Sequence, residues 1–588
     1  MTTNDTRGEQ ARSIKGGLPD SRDPVEVAMA AAADDPQAEN IVRSMLSKQD
    51  RLFDAQISQL GRQRWRDGFF ALVGGLLAIA AVTFVWSAWR ADGIVVTPFA
   101  VPPALEQRGL SGAVVASQLL DQLTAMQAET TSLRPASSYG DDWSDNIKVE
   151  LPYAGVSVGE LRRFFVTWLG KQRTLSGEVV AAPSGDLVVT ARITGTSGRR
   201  YEGKDLDTLL QKAAEGVYRD TQAYRYAGWL RVMARPEESA ALAKELARSK
   251  DPTERMWGLH SLALSTRDPR QTIAIYRKLA KIDPTFPAAT GNLAAAEAQL
   301  GHFEAACSGI DRSIKMYELW RDRMTAGGVD GYILSNRSYV AKCRGDFLQA
   351  AELQRQANEN ALDFVNTAGA PVELAGIFGQ LNDPGAVREI ITEAGLNEPA
   401  KLARMMAILG PRADPQLIYA YAARDWPAVR DQLAARLQTL TLAEQSRLAE
   451  AQARTGQAAA AAATINATPL DCDPCMRVRG LAAAIAGRPA EADRWFTMLA
   501  KRTPTLPQAA EAWAEALLLR RDSAGAARQA AEAHRLGPRW AEPLKRWGDA
   551  LAAQGQWAAA RDKYNLALER APNWQALRAQ RDAAAKRS

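Results

Sequence analysis

A chain of 588 residues is too long for one hydrophobic core and is expected to divide into several units. Its 73 basic and 67 acidic residues leave a net charge of only +6, with the signs interspersed, so the composition offers no basic field and no nucleic-acid partner is expected. Alanine runs such as Ala458 to Ala463 favour helix, because alanine loses no side-chain entropy there, and the fold class expected is mainly α.

Residues 1–36 are rich in Asp, Gly, Pro, Thr and Ser without an apolar period and predict a disordered cytoplasmic tail. Over 37–66, Ile41, Met45, Leu52, Ile57 and Leu60 recur at helical spacing and predict a juxtamembrane amphipathic helix. One helix running on into the membrane is the preferred reading; the alternative is a coiled coil that would make a homodimer, helped by the small residues Ala71, Gly74, Gly75 and Ala78. Within 67–90, Phe69 to Trp89 carries no charge over about 21 residues, enough to cross a hydrocarbon layer of about 30 Å, and predicts a transmembrane helix with the lipid bilayer as partner. Arg62, Arg64 and Arg66 precede it while only Arg90 follows at once, which puts the amino terminus in the cytoplasm. For a bacterium with two membranes, the expected location is the inner (cytoplasmic) membrane, single-pass, with the carboxy-terminal domains periplasmic.

From 93 to 218 strands and helices mix. Ile94 to Ala100, Ile147 to Leu151, Thr174 to Ala182 and Leu187 to Thr194 read as strands, and Gly109 to Gln127, Leu161 to Leu169 and Leu206 to Tyr218 as helices. A polar stretch around Ser137 to Asp145 reads as a loop, and Pro183 to Asp186 as the turn of a hairpin. A small α+β domain follows. The segments LSGEVV, DLVVTARITGTSGRRYEG and DLDTLLQKAAEGVY resemble the last hairpin and helix of the TolB amino-terminal or FlgO-like domain, although the opening VVTPFAVPPALEQRGLSG lacks that family's acidic and glycine-rich approach to its first helix.

The carboxy-terminal end repeats. Pro504, Pro538 and Pro572 are spaced by 34 residues, and units beginning at Asp473, Pro507 and Ala541 align. In the last, Trp547, Gly548, Leu551, Gly555, Ala560, Tyr564 and Ala567 fall where tetratricopeptide repeats (TPR) place their consensus; the earlier units keep Gly480, Gly487, Ala492 and Phe496, then Ala514, Leu517, Ala526 and Ala533. The span 473–574 therefore resembles three regular TPR units, 219–470 resembles degenerate ones, and 575–588 is a closing helix or tail. The family resemblance implies an α-solenoid of TPR helical hairpins with a long concave surface that suits protein partners; with the apolar run at Phe69 to Trp89 and the α+β domain before it, the fold expected is a membrane-anchored α-solenoid preceded by a small α+β domain.

In that family the inner face uses positions 2, 5, 9 and 12 of each first helix, so the partner-binding residues it implies are Arg477, Glu511, Glu515, Glu542, Lys545 and Asp549. Asp549 stands where a carboxylate-binding repeat needs asparagine, which argues against capture of a peptide terminus. An extended or helical segment with basic and apolar side chains is the expected occupant.

Little points to catalysis. His260, His302 and His534 are scattered without partners at ligand spacing, so neither metal nor cofactor is expected. No Walker loop, GxSxG elbow or dinucleotide fingerprint occurs, and GLSG at 109–112 reads as the start of a helix. Cys472 and Cys475 form a CxxC spacing best read as a structural disulfide, with free thiols or redox catalysis as alternatives. Cys307 and Cys343 fall on helices that pack together in such a solenoid and are expected to approach each other. The function expected is a bitopic membrane scaffold or adaptor in a cell-envelope assembly, not an enzyme; the alternative is a sensory subunit whose α+β domain binds a ligand.

Overall fold

The structure, a computed structural model, describes residues 93–130, 132–141, 173–325, 328–360, 364–409 and 414–588, with scattered helical positions between 37 and 83. The tail expected over 1–36 and the elements expected at Ile147–Leu151 and Leu161–Leu169 lie outside the described residues. The inner-membrane placement, with its cytoplasmic amino terminus and periplasmic later domains, is corrected: among the described residues no helix is long and apolar enough to cross a membrane. A span needs about 20 consecutive apolar residues. Of Phe69 to Trp89, the residues Leu72, Gly75, Leu76, Ala78, Ile79, Val82 and Thr83 are described.

The α+β part comprises β1 (Ile94–Val96), α1 (Gly112–Glu129), β2 (Tyr139–Asp141), β3 (Arg173–Ala181), β4 (Leu187–Ile193), β5 (Arg199–Gly203) and α2 (Leu206–Thr221). Strand order is β2-β1-β3-β4-β5, with β1 parallel to both neighbours and the β3-β4-β5 meander antiparallel. Pairing of Leu175 with Ile193 and Val179 with Val189 puts alternate apolar residues on one face, where α1 (Val115, Leu119, Leu123) and α2 (Leu209, Leu210, Val217) cover them. Ser111 caps α1, and Gly112 is required there, because a Cβ would lie 1.9 Å from the Phe99 carbonyl oxygen. The two outer strands are the ones sequence periodicity missed: β2 lies in the expected loop, and β5 reads RRYEG, the charged composition of an edge strand.

The core of the sheet runs on into the helices, since Trp229, Leu230 and Leu242 belong to it. Antiparallel hairpins follow: α3 (Ala223–Val232) with α4 (Pro236–Leu246), α5 (Pro252–Leu264) with α6 (Pro269–Ile282), α7 (Pro287–Gln299) with α8 (Phe303–Leu319), α9 (Gly328–Cys343) with α10 (Phe347–Glu359), and α11 (Phe364–Gln380) with α12 (Pro384–Glu393). After α13 (Pro399–Leu409) come α14 (Pro415–Ala422) with α15 (Trp426–Ala434), α16 (Leu442–Arg454) with α17 (Ala458–Asn466), α18 (Asp473–Ile485) with α19 (Pro489–Arg502), α20 (Gln508–Leu519) with α21 (Ser523–Leu536), α22 (Ala541–Ala553) with α23 (Trp557–Arg570), and the single α24 (Gln575–Ala585).

The small residues of the repeat have a direct steric cause. A Cβ on Gly480 would lie 2.7 Å from the Phe496 ring, and one on Gly548 would lie 2.4 Å from the Tyr564 ring. Glycine in the first helix makes room for the aromatic of the second. Ala492, Ala526, Ala533, Ala560 and Ala567 are buried where the helices cross. Gly487 and Gly555 turn between helices at φ +70° and +76°; Arg521 holds the same place in the middle unit at φ +64°. Among the described residues the protein is mainly helical, a succession of helical hairpins with one small sheet.

Candidate functional site

The helix starts of the last repeats meet the turns of earlier ones. At the α7–α8 turn, the Phe303 amide donates to Asp473 at 2.8 Å, and the Asp473 amide donates to the Gly301 carbonyl at 2.9 Å. At the α9–α10 turn, Gln508 donates to the Cys343 carbonyl at 3.3 Å, and Trp540 packs on Gly345 and Phe347. At the α11–α12 turn, Asn382 donates to Glu542 at 3.1 Å and Asn573 donates to Asp383 at 2.7 Å. At the α14–α15 turn, Arg424 pairs with Glu542 and lies over Trp574. These contacts form a seam between distant parts of the chain.

Inside the seam the inner-face residues face one another. Arg477 pairs with Glu450; Arg454 reaches Glu450 at 2.9 Å and Glu515 at 3.0 Å; Arg546 reaches Glu511 and Glu515 at 3.0 Å each. A ladder of ion pairs thus crosses α16, α18, α20 and α22, successive first helices of the repeats. Lys545 pairs along its own helix with Asp549 at 2.6 Å, and the Tyr564 hydroxyl donates to Asp549 at 3.0 Å. The expectation that Arg477, Glu511, Glu515, Glu542, Lys545 and Asp549 line an open groove therefore meets a different geometry. Glu511 and Glu542 are 8% and 5% exposed and are engaged by arginines of the same chain.

Burial and charge compete along this ladder. Burial pushes the Glu515 carboxyl up, but Arg546 and Arg454 outweigh it and hold it at about 2. Burial likewise raises Glu450, and Arg477 with Arg454 brings it below the ordinary carboxylate range. Glu511 goes the other way: burial, reinforced by Glu542 and Glu515, outweighs Arg546 and raises it. Removing one member of such a set costs about 3–5 kcal/mol, because a buried charge is left without its partner.

Counting back from Gly456 as the turn glycine places Glu450 at the same inward position as Glu515, so that residue was legible. Arg546 lies outside the four inward positions, and Arg424 and Asn382 lie in turns at φ +56° and +55°; only the return of the chain on itself brings them in.

Two spaces open on this region. A chamber of about 200 Å³ is bounded by the ladder together with Phe347, Tyr421, Trp426 and Trp540. A larger cleft of about 680 Å³ lies between α8, α9 and the α21–α22 connection. Its floor includes Ile314, Val340, Leu353 and Leu536, and its rim carries the ion pairs Arg337–Glu318 at 3.1 Å, Arg344–Asp311 at 3.7 Å and Arg539–Asp346 at 3.5 Å.

Cys307 and Cys343 are joined in a disulfide that bolts α8 to α9, with Cα atoms 6.1 Å apart. Cys472 and Cys475 are also joined, at the start of α18, where Cys472 is the cap and Cys475 donates its amide to the Cys472 sulfur at 3.3 Å. Both are fully buried against Ala449, Ile465 and Val478, so no sulfur is open to an attacking thiolate. Among the described residues no three His, Cys, Asp or Glu side chains are grouped to hold a metal ion. Tyr224, Tyr226 and Trp229 are buried core residues.

No protein-family model matches the chain, and no curated protein matches it significantly. Among solved structures, the APC/C hetero-tetramer Cut9-Hcn1 is similar with a TM-score of 0.38 and 12% identity, over 65% of this chain and 80% of that one. Yeast Tom70 is similar with a TM-score of 0.26 and 12% identity, over 64% of this chain and 91% of that one.

Proposed function

We propose that this protein is a non-catalytic scaffold that holds a segment of a partner protein in the 680 Å³ cleft between α8, α9 and the α21–α22 connection. The observation that carries the reading is the combination of a preformed apolar floor with a rim of exposed ion pairs. Arg337, Glu318 and Asp311 are about half exposed and Arg344 about two-thirds, so their pairing contributes little and exchanges readily for a partner's charges. The disulfide between the two walls supports a cleft already shaped before binding, which lowers the ordering cost of association. Lys315, Arg337, Arg344 and Arg539 outnumber Asp311, Glu318 and Asp346 on the lining. The partner segment therefore carries apolar side chains for the floor and a net acidic flank. This shifts the docking surface from the inner-face residues to the cleft, because the former are spent on the ladder.

The test is crosslinking and affinity capture with the full-length protein against a Lys315→Glu, Arg344→Glu double variant and a charge-reversal control at the exposed residues Arg528 and Glu569. Proteins lost with the cleft variant and kept with the control are the expected outcome; the same set of captured proteins from all three would overturn the reading.

A further inference from the structure

The two disulfides of the chain differ in their surroundings. Cys472 and Cys475 are 0% exposed, whereas Cys343 is 8% exposed and Cys307 is partly exposed, with the exposed residues Ala305 and Ser308 beside it on α8. The Cys307 end of the second bridge is therefore the one open to a thiolate from solvent.

Its position gives that access a consequence. The bridge stands at one corner of the 680 Å³ cleft, where the three walls meet. On α8, Asp311 of the lining lies one helical turn beyond Cys307. On α9, Cys343 is followed at once by Arg344, also on the lining, and the Arg344–Asp311 pair at 3.7 Å crosses the same gap. The third wall rests on these few residues as well. Gln508 donates to the Cys343 carbonyl at 3.3 Å, and a Cβ on Gly537 would lie 2.9 Å from the Arg344 carbonyl oxygen. Trp540 packs on Gly345, and Arg539 lies 3.5 Å from Asp346.

The rest of the α8–α9 contact does not depend on the sulfurs. Ile310 packs with Val340, and farther along the pair Asn336 donates to Ser313 at 3.0 Å. Breaking the bridge thus frees the end of α9 and the α9–α10 turn while the helix pair stays packed. The Arg344–Asp311 pair left at that end joins two exposed side chains and holds little.

We infer that the Cys307–Cys343 disulfide is a redox switch on the cleft. Closed, it fixes the corner on which the third wall rests; opened by a dithiol, it lets that corner part and the bound segment leave. The inference rests on the cleft as the docking site. The step is thiol–disulfide exchange: a thiolate of the dithiol attacks the Cys307 sulfur, and the Cys343 sulfur leaves as a thiolate and takes up a proton. The second thiol of the reagent then releases Cys307 as a thiol. Two electrons pass to the protein and the reagent ends as a disulfide; a disulfide oxidant reverses the reaction.

The experiment titrates the folded full-length protein with dithiothreitol, using alkylation and mass spectrometry to locate new thiols and hydrogen exchange to follow the backbone. Cys307 and Cys343 are expected to become alkylated at about tenfold less reagent than Cys472 and Cys475. Exchange should rise about tenfold over 341–346 and 536–540 and stay unchanged in the β3–β4 hairpin. A Cys307→Ser, Cys343→Ser double variant should exchange as the reduced parent does in both segments. Re-oxidation of the parent, which should restore protection, keeps the test decisive if that variant does not fold. Equal reduction of the two bridges, or opening of Cys307–Cys343 with no change over 536–540, would overturn the inference.

Affinity capture separates the switch from the docking reading. Proteins that depend on Lys315 and Arg344 should be lost at the dithiothreitol concentration that opens this bridge alone; their retention overturns the switch and leaves the docking site standing. A captured set that does not depend on those residues in the oxidised protein sinks the docking reading and, with it, the release of a segment, while the exchange data still decide whether the bridge controls the corner.

Discussion

His260 is buried among Tyr224, Trp257, Tyr276 and Phe286, with its Nδ1 3.0 Å from the Tyr276 hydroxyl, which also accepts from Asn292 at 3.0 Å. Burial, helped by Arg231 nearby, holds the imidazole down at about 3, so it is neutral in the folded protein. The unfolded chain binds the proton more readily, so the contribution of this site is intact above the unfolded value of about 6.5 and is lost as pH falls toward 3. Over that window stability is expected to drop by about 1.4 kcal/mol per pH unit from this residue alone. Denaturant melts of the parent and of His260→Gln across the window would show a smaller slope in the variant; equal slopes would remove His260 from the account. The sequence offered no sign of this, because a lone histidine among apolar helices looks the same whether it faces in or out.

At the level of elements, α8 and α9 are joined twice, by packing of Ile310 with Val340 and by the Cys307–Cys343 disulfide. The bridge closes a segment of 36 residues, and in the chain-entropy account such a crosslink restricts the unfolded state by about 4 kcal/mol. Cys343→Ser is expected to lower stability by up to that amount, and reductant should destabilise the parent more than the variant, which keeps only the Cys472–Cys475 bridge; equal sensitivity of the two to reductant would contradict it. Elements of this kind were largely readable beforehand. The spacing of Gly480, Gly487, Ala492 and Phe496 marks a hairpin because each of those residues has one steric task, and the β3–β4 hairpin is equally clear from alternation. The edge strands β2 and β5 were not readable, since a strand paired on one side needs no apolar alternation.

For the molecule, the decisive contacts join residues far apart in sequence. An open array of repeats is stabilised unit by unit and frays from its ends, whereas here α18, α20, α22 and α24 are fastened to turns formed far upstream. Arg546 is central, and Arg546→Met should cost about 3–5 kcal/mol by leaving Glu511 and Glu515 buried without it. The loss should appear as faster hydrogen exchange in α16 as well as in α22, because Arg454 and Glu515 link them; exchange changes confined to α22 would count against a continuous ladder. Sequence periodicity predicts which residues point inward and says nothing of what they meet there, so the inner face was identified while its self-pairing was not.

The seam also bears on how such a chain can change over generations. Open repeat arrays lengthen and shorten by copying or dropping a unit, since any unit fits any neighbour. Here four turns, at Gly301, Gly345, Asn382 and Arg424, are each matched to particular downstream helix starts. Losing one 34-residue unit would set every later start opposite the wrong turn, so the number of repeats between the two sides of the seam is fixed even though each repeat, taken alone, is interchangeable.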